Sequence, residues 1–336
     1  MYYKVTNKKE NHHGFQYVDG INILKEKFNA NPNESCGAGD LYFTTLENIH
    51  EFYDYGINLR EVSLPVSDPD FQMVLDPEGD KWRANKIILG KKYSLFDPTT
   101  YQVLGLDINE NISLIDTASK YGRVDMLEWW KNSDSELEYN SNSINDASKN
   151  GHTNVLEWWK NSDLELKYTE WAINNASGKG HANVLEWWKS SGLKLEYTEW
   201  AINHASGKGH VNVLEWWKSS GLKLEYTYYA IYYASAHGHI NVLEWWKSSG
   251  LEWWKSSGLE LKYTSNAIKI ASKNGHTNVL NWWKKSNPEI KYHCYDLVLG
   301  CAHSASKLLN KCSGLVGKYW FIMFLFGAIS LKTYLE

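Results

Sequence analysis

Five histidines, His152, His181, His210, His239 and His276, recur at one position of a repeating pattern. Imidazoles on a regular spacing suggest a stripe of metal ligands. Geometry weighs against it. Helices stacked side by side lie about 8–10 Å apart, whereas a metal–nitrogen bond is about 2 Å long, so successive rungs do not share an ion. The histidines are expected to hydrogen-bond at a turn between helices, and no metal is expected. Tryptophan is the other conspicuous residue type. Of 18 tryptophans, seven Trp-Trp pairs account for all but four. Such pairs suit stacking on bases or sugars, but helical phase favours a structural role. At 100° per residue Trp217 lies in the apolar arc of Val213 and Leu214, and Trp216 lies about 60° outside it, on the flank facing a neighbouring repeat.

A second constellation lies outside the repeat. His12, His13, Tyr42 and Glu61 supply an imidazole pair, a phenol and a carboxylate near strand ends. This set resembles the nucleotide pocket of ADP-ribosyltransferases, which implies a transferase as an alternative function for residues 1–110. No glycine-rich phosphate loop or HExxH string accompanies it, and no catalysis or cofactor is expected. Lys81, Arg83 and Lys86 beside Trp82 can grip a phosphate, but read better as a solvated strand edge.

The remaining candidates are positions nine and six residues before each repeat glycine. They hold Trp171 and Asn174, Trp200 and Asn203, Tyr229 and Tyr232, then Asn266 and Lys269. On a helical wheel they point away from the Ala/Ile arc. The core positions hardly change from repeat to repeat, whereas these do. A row of outward aromatics is what a partner-binding surface looks like, so Trp171, Asn174, Trp200, Asn203, Tyr229 and Tyr232 are the expected binding residues.

The elements that position these residues follow from the period. Gly122, Gly151, Gly180, Gly209, Gly238 and Gly275 are spaced by 29, 29, 29, 29 and 37 residues, and a fixed period in this range means stacked small units. Each unit reads as two short helices. In Trp200–Ser206 the residues Ala201, Ile202 and Ala205 share one arc, Gly207-Lys208-Gly209 breaks the helix, and a second amphipathic helix ends before Gly221, the place of a left-handed cap.

The string A-S-x-x-G-H-x-x-V-L-x-W-W-x-x-x-G resembles the ankyrin repeat, with Ala205, Gly209, His210, Val213, Leu214 and Gly221 on its helix–turn–helix core. The period is 29 rather than 33, LKLEYT replaces the usual hairpin, and the T-P-L-H start is missing. These features are similar to the ankyrin-type proteins of giant DNA viruses of the Mimivirus group. The resemblance covers about Asn111–Tyr292. It implies fold rather than function, because ankyrin arrays bind many unrelated partners.

Residues 1–110 do not repeat and read as a small α+β domain. Gly20–Asn29 has helical spacing. Leu41–Thr44 and Asn58–Val66 read as strands with a helix at Glu47–Tyr53 between them. Lys86–Leu89 and Tyr93–Phe96 read as a strand pair turned at Gly90-Lys91. The strings GFQY, LYFT, LREVSLP, DPDF and KWRANKIILG resemble a leading domain found on ankyrin proteins of the same viral group, which implies a family and not a reaction.

The expected architecture is mainly α: an ankyrin-like helical-pair solenoid of six repeats at 111–292, preceded by the α+β domain and followed at 293–336 by a worn repeat or cap. Within the fifth repeat LEWWKSSG at 243–250 is copied residue for residue at 251–258, which supplies the excess of the 37-residue interval. It is expected to be a tolerated bulge or a lengthened helix. The stretch Leu315–Leu331 is apolar but contains Lys318, and its uncharged part is shorter than the ~20 residues a spanning helix needs. A capping helix is expected, with a membrane-tethered adaptor as the alternative. Net charge is −4, which gives no footprint for nucleic acid. Four cysteines without zinc spacing fit a reducing compartment, and the N-terminus has no signal-peptide core. The function expected is a non-enzymatic, monomeric scaffold that binds an unknown host or viral protein. Its expected location is the host cytoplasm, with a virion or membrane location as the alternative.

Overall fold

The computed structural model describes residues 1–34, 40–249 and 260–286. The second LEWWKSSG copy, the decaying pattern after Tyr292, the apolar stretch 315–331 and all four cysteines lie outside the described residues. Contacts divide the chain into two compact units, Met1–Ala147 with His152–Tyr168, and Ser148–Gly151 with Thr169–Glu336.

The first unit begins with nine strands: β1 (Tyr2–Thr6), β2 (Asn11–His12), β3 (Phe15–Gln16), β4 (Gly20–Ile23), β5 (Leu41–Phe43), β6 (Asn58–Ser63), β7 (Met73–Leu75), β8 (Trp82–Ala84) and β9 (Lys86–Ser94). All pairings between them are antiparallel, in a four-stranded sheet β1-β6-β9-β4, a three-stranded sheet β5-β8-β7 and the hairpin β2-β3. A 3-10 helix, Ile49–Tyr55, covers one core of Tyr3, Val5, Leu59 and Leu95. Leu41, Phe43, Val62 and Ile87 form another.

Three expectations for this region are corrected. Gly20–Asn29 is not a helix: it opens with edge strand β4, where Ile21 and Ile23 are each 50% exposed and Asn22 is buried. Asn22 accepts from the Val18 N–H and donates to the carbonyls of Val18 and Gly20, so a polar residue takes the inward position. Gly90-Lys91 is not a turn. Residues 86–94 form one strand, and the register passes from Arg60↔Lys92 to Val62↔Leu89. The extra residue makes a β-bulge, a second use of glycine in a strand. Arg83 is not on a solvated edge either. It lies on the central strand of its sheet, 0% exposed, and donates to Asp40 at 2.9 Å.

Helix α1 (Pro98–Leu104) is capped by Asp97, whose carboxylate accepts from the Thr99 N–H. The helix pairs follow: α2 (Leu114–Lys120) with α3 (Val124–Lys131), then α4 (Ser141–Lys149) with α5 (Thr153–Asn161). In the second unit come α6 (Trp171–Gly178) with α7 (Ala182–Ser190), α8 (Trp200–Gly207) with α9 (Val211–Ser219), α10 (Tyr229–His237) with α11 (Ile240–Ser248), and α12 (Glu260–Lys273) with α13 (Thr277–Ser286). The fold is mainly α, with ankyrin-like helix pairs after a strand-containing region. In every pair described in the second unit the Ala and Ile of the first helix and the Val, Leu and second Trp of the second are buried. Among the described residues no helix is long and apolar enough to cross a membrane.

The fifth and sixth repeats bond to each other as the others do, but across a longer sequence span. The second Trp of a pair donates to a serine 40 residues back in repeats two to five, and Trp283 donates to Ser235, 48 back. Trp216 and Trp245 reach 30 residues back, and Trp282 reaches 38. Deleting Leu251–Gly258 is expected to leave the midpoint of chemical denaturation unchanged or raised. A substantially lower midpoint would show that the second copy stabilises the stack.

Candidate functional site

The repeated polar residues are consumed by the stack. In the second unit, the ring of His210 lies against Gly180 and that of His239 against Gly209; His276 does the same at Gly238. His276 Nε2 donates to the Ala236 carbonyl at 2.9 Å, and His210 and His239 bond the backbone of Gly178 and Gly207. In the first unit His152 Nε2 donates to the Lys120 carbonyl at 3.0 Å. Burial pushes the His210 and His239 imidazoles below their ordinary value, and the bond to the backbone carbonyl works against that shift. This is the expected turn bonding, seen at His152, His210, His239 and His276.

The first repeat has no repeat before it, and there Arg123 replaces the histidine. Its guanidinium donates to the Phe96 carbonyl at 2.6 Å and lies over the Phe96 ring. The same reach backwards thus fastens repeat one to the segment ahead of it.

In repeats two to four the tryptophans divide as their phase requires, whereas in repeats five and six the first indoles, Trp245 and Trp282, are buried as well. Trp159, Trp188 and Trp217 are each 1% exposed, and their Nε1 atoms donate to Ser119, Ser148 and Ser177 at 3.1–3.3 Å. Trp158 and Trp216 are half-buried and donate to Glu128 and Glu186 of the preceding repeat at 2.7 and 2.8 Å. The two indoles of a pair meet edge to face, 5.1 Å apart in Trp216–Trp217. The serine acceptors were legible in principle, since Ala-Ser recurs in all six repeats. Their role depends on a residue of the next repeat, which the wheel of one helix does not supply.

The first-helix positions split. Trp171 is 44% exposed, and Trp200, Tyr229 and Tyr232 are half-buried. Asn174 and Asn203 do not face outward: they are 0% and 1% exposed. Asn174 Nδ2 donates to the Thr198 hydroxyl at 3.0 Å and its Oδ1 accepts from the Thr198 N–H at 3.1 Å; Asn203 does the same with Thr227. Each amide ties its helix to the start of the next first helix, which removes both residues from the surface row. Where the asparagine gives way to Tyr232, a cluster opens. Tyr229 stacks on Tyr228 and Tyr233 with ring centres 4.2 and 5.3 Å away. These tyrosines, with Asn266, exposed Lys269 and exposed Lys273, line an open groove of about 560 Å³.

In the strand-rich region His12, His13 and Tyr42 line one cavity of about 500 Å³, and Glu61 is not part of its lining. Glu61 accepts instead from the Tyr93 hydroxyl at 2.8 Å. The four residues of the transferase alternative are therefore not assembled, and the carboxylate that would polarise a sugar is the one left out. Lys81 is not a free phosphate grip: it pairs with Asp76, Glu78 and Asp80. Those three acids lie close enough to hold a cation, but the Lys81 ammonium already occupies that role. Lys86 likewise bonds Asp68 at 2.7 Å.

No family model matches the chain. Over 131 residues it is 48% identical to R868 of Acanthamoeba polyphaga mimivirus, described as an ankyrin repeat protein, covering 38% of this chain and 65% of R868. It is 49% identical over 114 residues to R869, an uncharacterized protein of the same virus, covering 33% of this chain and 82% of R869. It is 37% identical over 146 residues to R896, again described as an ankyrin repeat protein, covering 42% and 43%. The chain thus spans under two thirds of R868 and under half of R896. It is also similar to the crystal structure of the human ASB11 ankyrin repeat domain, at 14% identity and a TM-score of 0.41 over 53% of this chain and 85% of that one. Over the matched stretches the chain is thus similar to ankyrin repeat proteins of this virus, sharing close to half of its residues with R868 there.

Proposed function

We propose that the array is a non-enzymatic protein-interaction scaffold that holds its partner on the first-helix face. Ankyrin repeat relatives support an interaction role in general. The observation that carries the finer reading is the outward aromatic series, Trp171 at 44% exposure with Trp200, Tyr229 and Tyr232. Large rigid aromatics contribute much contact area at little entropic cost, and they dominate interface energetics. The tyrosine groove next to Lys269 and Lys273 adds a chemical preference, since two exposed ammonium groups beside phenols favour a segment carrying carboxylates. The same proposal keeps residues 1–110, 111–292 and 293–336 as three parts and takes the chain to act as a monomer in the host cytoplasm.

The test is affinity capture from infected-cell lysate with the wild-type chain and a variant carrying Trp171→Ser, Trp200→Ser, Tyr229→Ser and Tyr232→Ser. Helix content and cooperative unfolding are expected to be nearly unchanged, with specific capture lost, since truncating one such anchor typically costs about 2 kcal/mol or more of binding. A variant that stays folded and captures the same proteins puts the binding site elsewhere. A variant that unfolds shows the row to be core.

A further inference from the structure

We propose that the cavity walled by Lys4, His12, Phe15, Tyr17, Phe52 and Tyr55 is a binding site for a small aromatic carboxylate. It belongs to the strand-rich region and is independent of the array's binding face.

The argument starts from Lys4. It lies on β1, only 7% exposed, and lines the cavity. Its Nζ donates to the Tyr42 carbonyl at 2.8 Å and sits 4.7 Å above the centre of the Tyr17 ring. It enters no ion pair among the described residues. The other charged groups of the lining differ in this respect. Lys81 is neutralised by Asp76, Glu78 and Asp80, and Asp40 by Arg83. A buried ammonium without a counter-ion is costly, so the amine gives up its proton more readily than usual, and such a group on a cavity wall marks a candidate binding site. Burial pushes the Lys4 amine down to about 7, so near neutral pH it is poised to take up a proton when an anion arrives.

His12 supplies the second donor. Its Nε2 accepts from the Asn7 N–H at 3.0 Å, so the proton of the neutral ring is on Nδ1. Burial, with Lys4 nearby, pushes this imidazole down to about 4. It therefore remains a neutral hydrogen-bond donor and adds no second charge. Both donors flank the Tyr17 ring, with the His12 ring edge-on to it at 6.1 Å. One cation and one neutral N–H match the two oxygens of a monoanionic carboxylate. A phosphate dianion would call for more donors and more positive charge. Much of the remaining wall is aromatic, beside Val5, Thr44 and Ile49 and the paired Asp40 and Lys81, which suits a planar ligand, and about 500 Å³ is within the range of pockets that take small molecules.

The experiment is isothermal titration calorimetry of the full chain at pH 7.5 in two buffers of different ionisation enthalpy. The probes are benzoate and indole-3-acetate, with indole-3-acetamide and inorganic phosphate for comparison. The carboxylates are expected to bind at least tenfold more tightly than the amide and phosphate, with net proton uptake. Lys4→Met is expected to weaken indole-3-acetate at least tenfold without lowering the melting temperature, and His12→Phe to weaken it severalfold. The proposal is overturned if neither carboxylate binds at millimolar concentration, if amide or phosphate binds as tightly, or if folded Lys4→Met retains wild-type affinity. The comparison of acid with amide on the wild-type chain decides the matter even if a variant fails to fold. The protein-capture experiment on the four aromatics reads a different surface, so either reading can fail without the other.

Discussion

Trp217→Ala is expected to destabilise the second unit by about 3–5 kcal/mol, and Trp216→Ala by roughly 1–2 kcal/mol, although the two residues are adjacent and chemically identical. Trp217 is 1% exposed, packs its ring 4.8 Å from that of Tyr197, and donates to the Ser177 hydroxyl at 3.1 Å. Its removal leaves a cavity the size of an indole at a junction between repeats, and that cavity cannot collapse without moving both helix pairs. Trp216 is half-buried and bonds a solvent-facing carboxylate, Glu186, so water replaces most of what its truncation removes. Ser177→Ala separates the bond from the packing: it strands the indole N–H in the interior, which costs about 1–3 kcal/mol. Urea denaturation of the three variants, followed by circular dichroism, checks the order. Equal losses for Trp216 and Trp217 would overturn the assignment of inner and flanking indoles.

The second large effect is at the repeat glycine. Gly209 has φ +82, and a Cβ built there would lie 2.8 Å from Nδ1 of His239. Gly221 has φ +76 but nothing within 4 Å. Both positions penalise an L side chain by about 1–2 kcal/mol through the left-handed backbone. Only Gly209 adds a steric term, because its neighbour is a ring held in place by its own hydrogen bond to the backbone of Gly207. Gly209→Ala is therefore expected to cost about 3 kcal/mol or more, and Gly221→Ala about half that or less. A double-mutant cycle isolates the difference: His239→Ala should relieve part of the cost of Gly209→Ala and none of that of Gly221→Ala. Equal costs for the two glycines, with no coupling to His239, would mean that the ring moves aside freely.

What was legible in the sequence is what a single helix and a fixed period determine. The 29-residue recurrence gives helix pairs, and the wheel sorts Trp217 from Trp216 because direction within one helix is local. What was not legible depends on a distant partner. Asn174 points out of its own helix's apolar arc, yet it is buried because Thr198 of the next repeat covers it. Arg83 looks like a surface cation until Asp40, 43 positions away in sequence, is beside it. Gly90-Lys91 has turn composition, and only the pairing of β6 with β9 shows that it makes a bulge. The transferase constellation failed for the same reason: residue types at loose spacing do not specify which strand face carries Glu61.

The bonds that the histidines and the paired tryptophans make between repeats run one way, whereas Asn174 and Asn203 donate to the repeat after. The histidine and both tryptophans are donors that reach the repeat before, while the glycine turn, the serine and the glutamate are acceptors for the repeat after. A 29-residue segment therefore carries one complete half of each junction at either end. Rejoining two of the most regular segments, such as repeats three and four, places the same donors opposite the same acceptors. Residues 172–190 and 201–219, AINNASGKGHANVLEWWKS and AINHASGKGHVNVLEWWKS, differ at two positions, neither of which is a donor or acceptor of these bonds through its side chain.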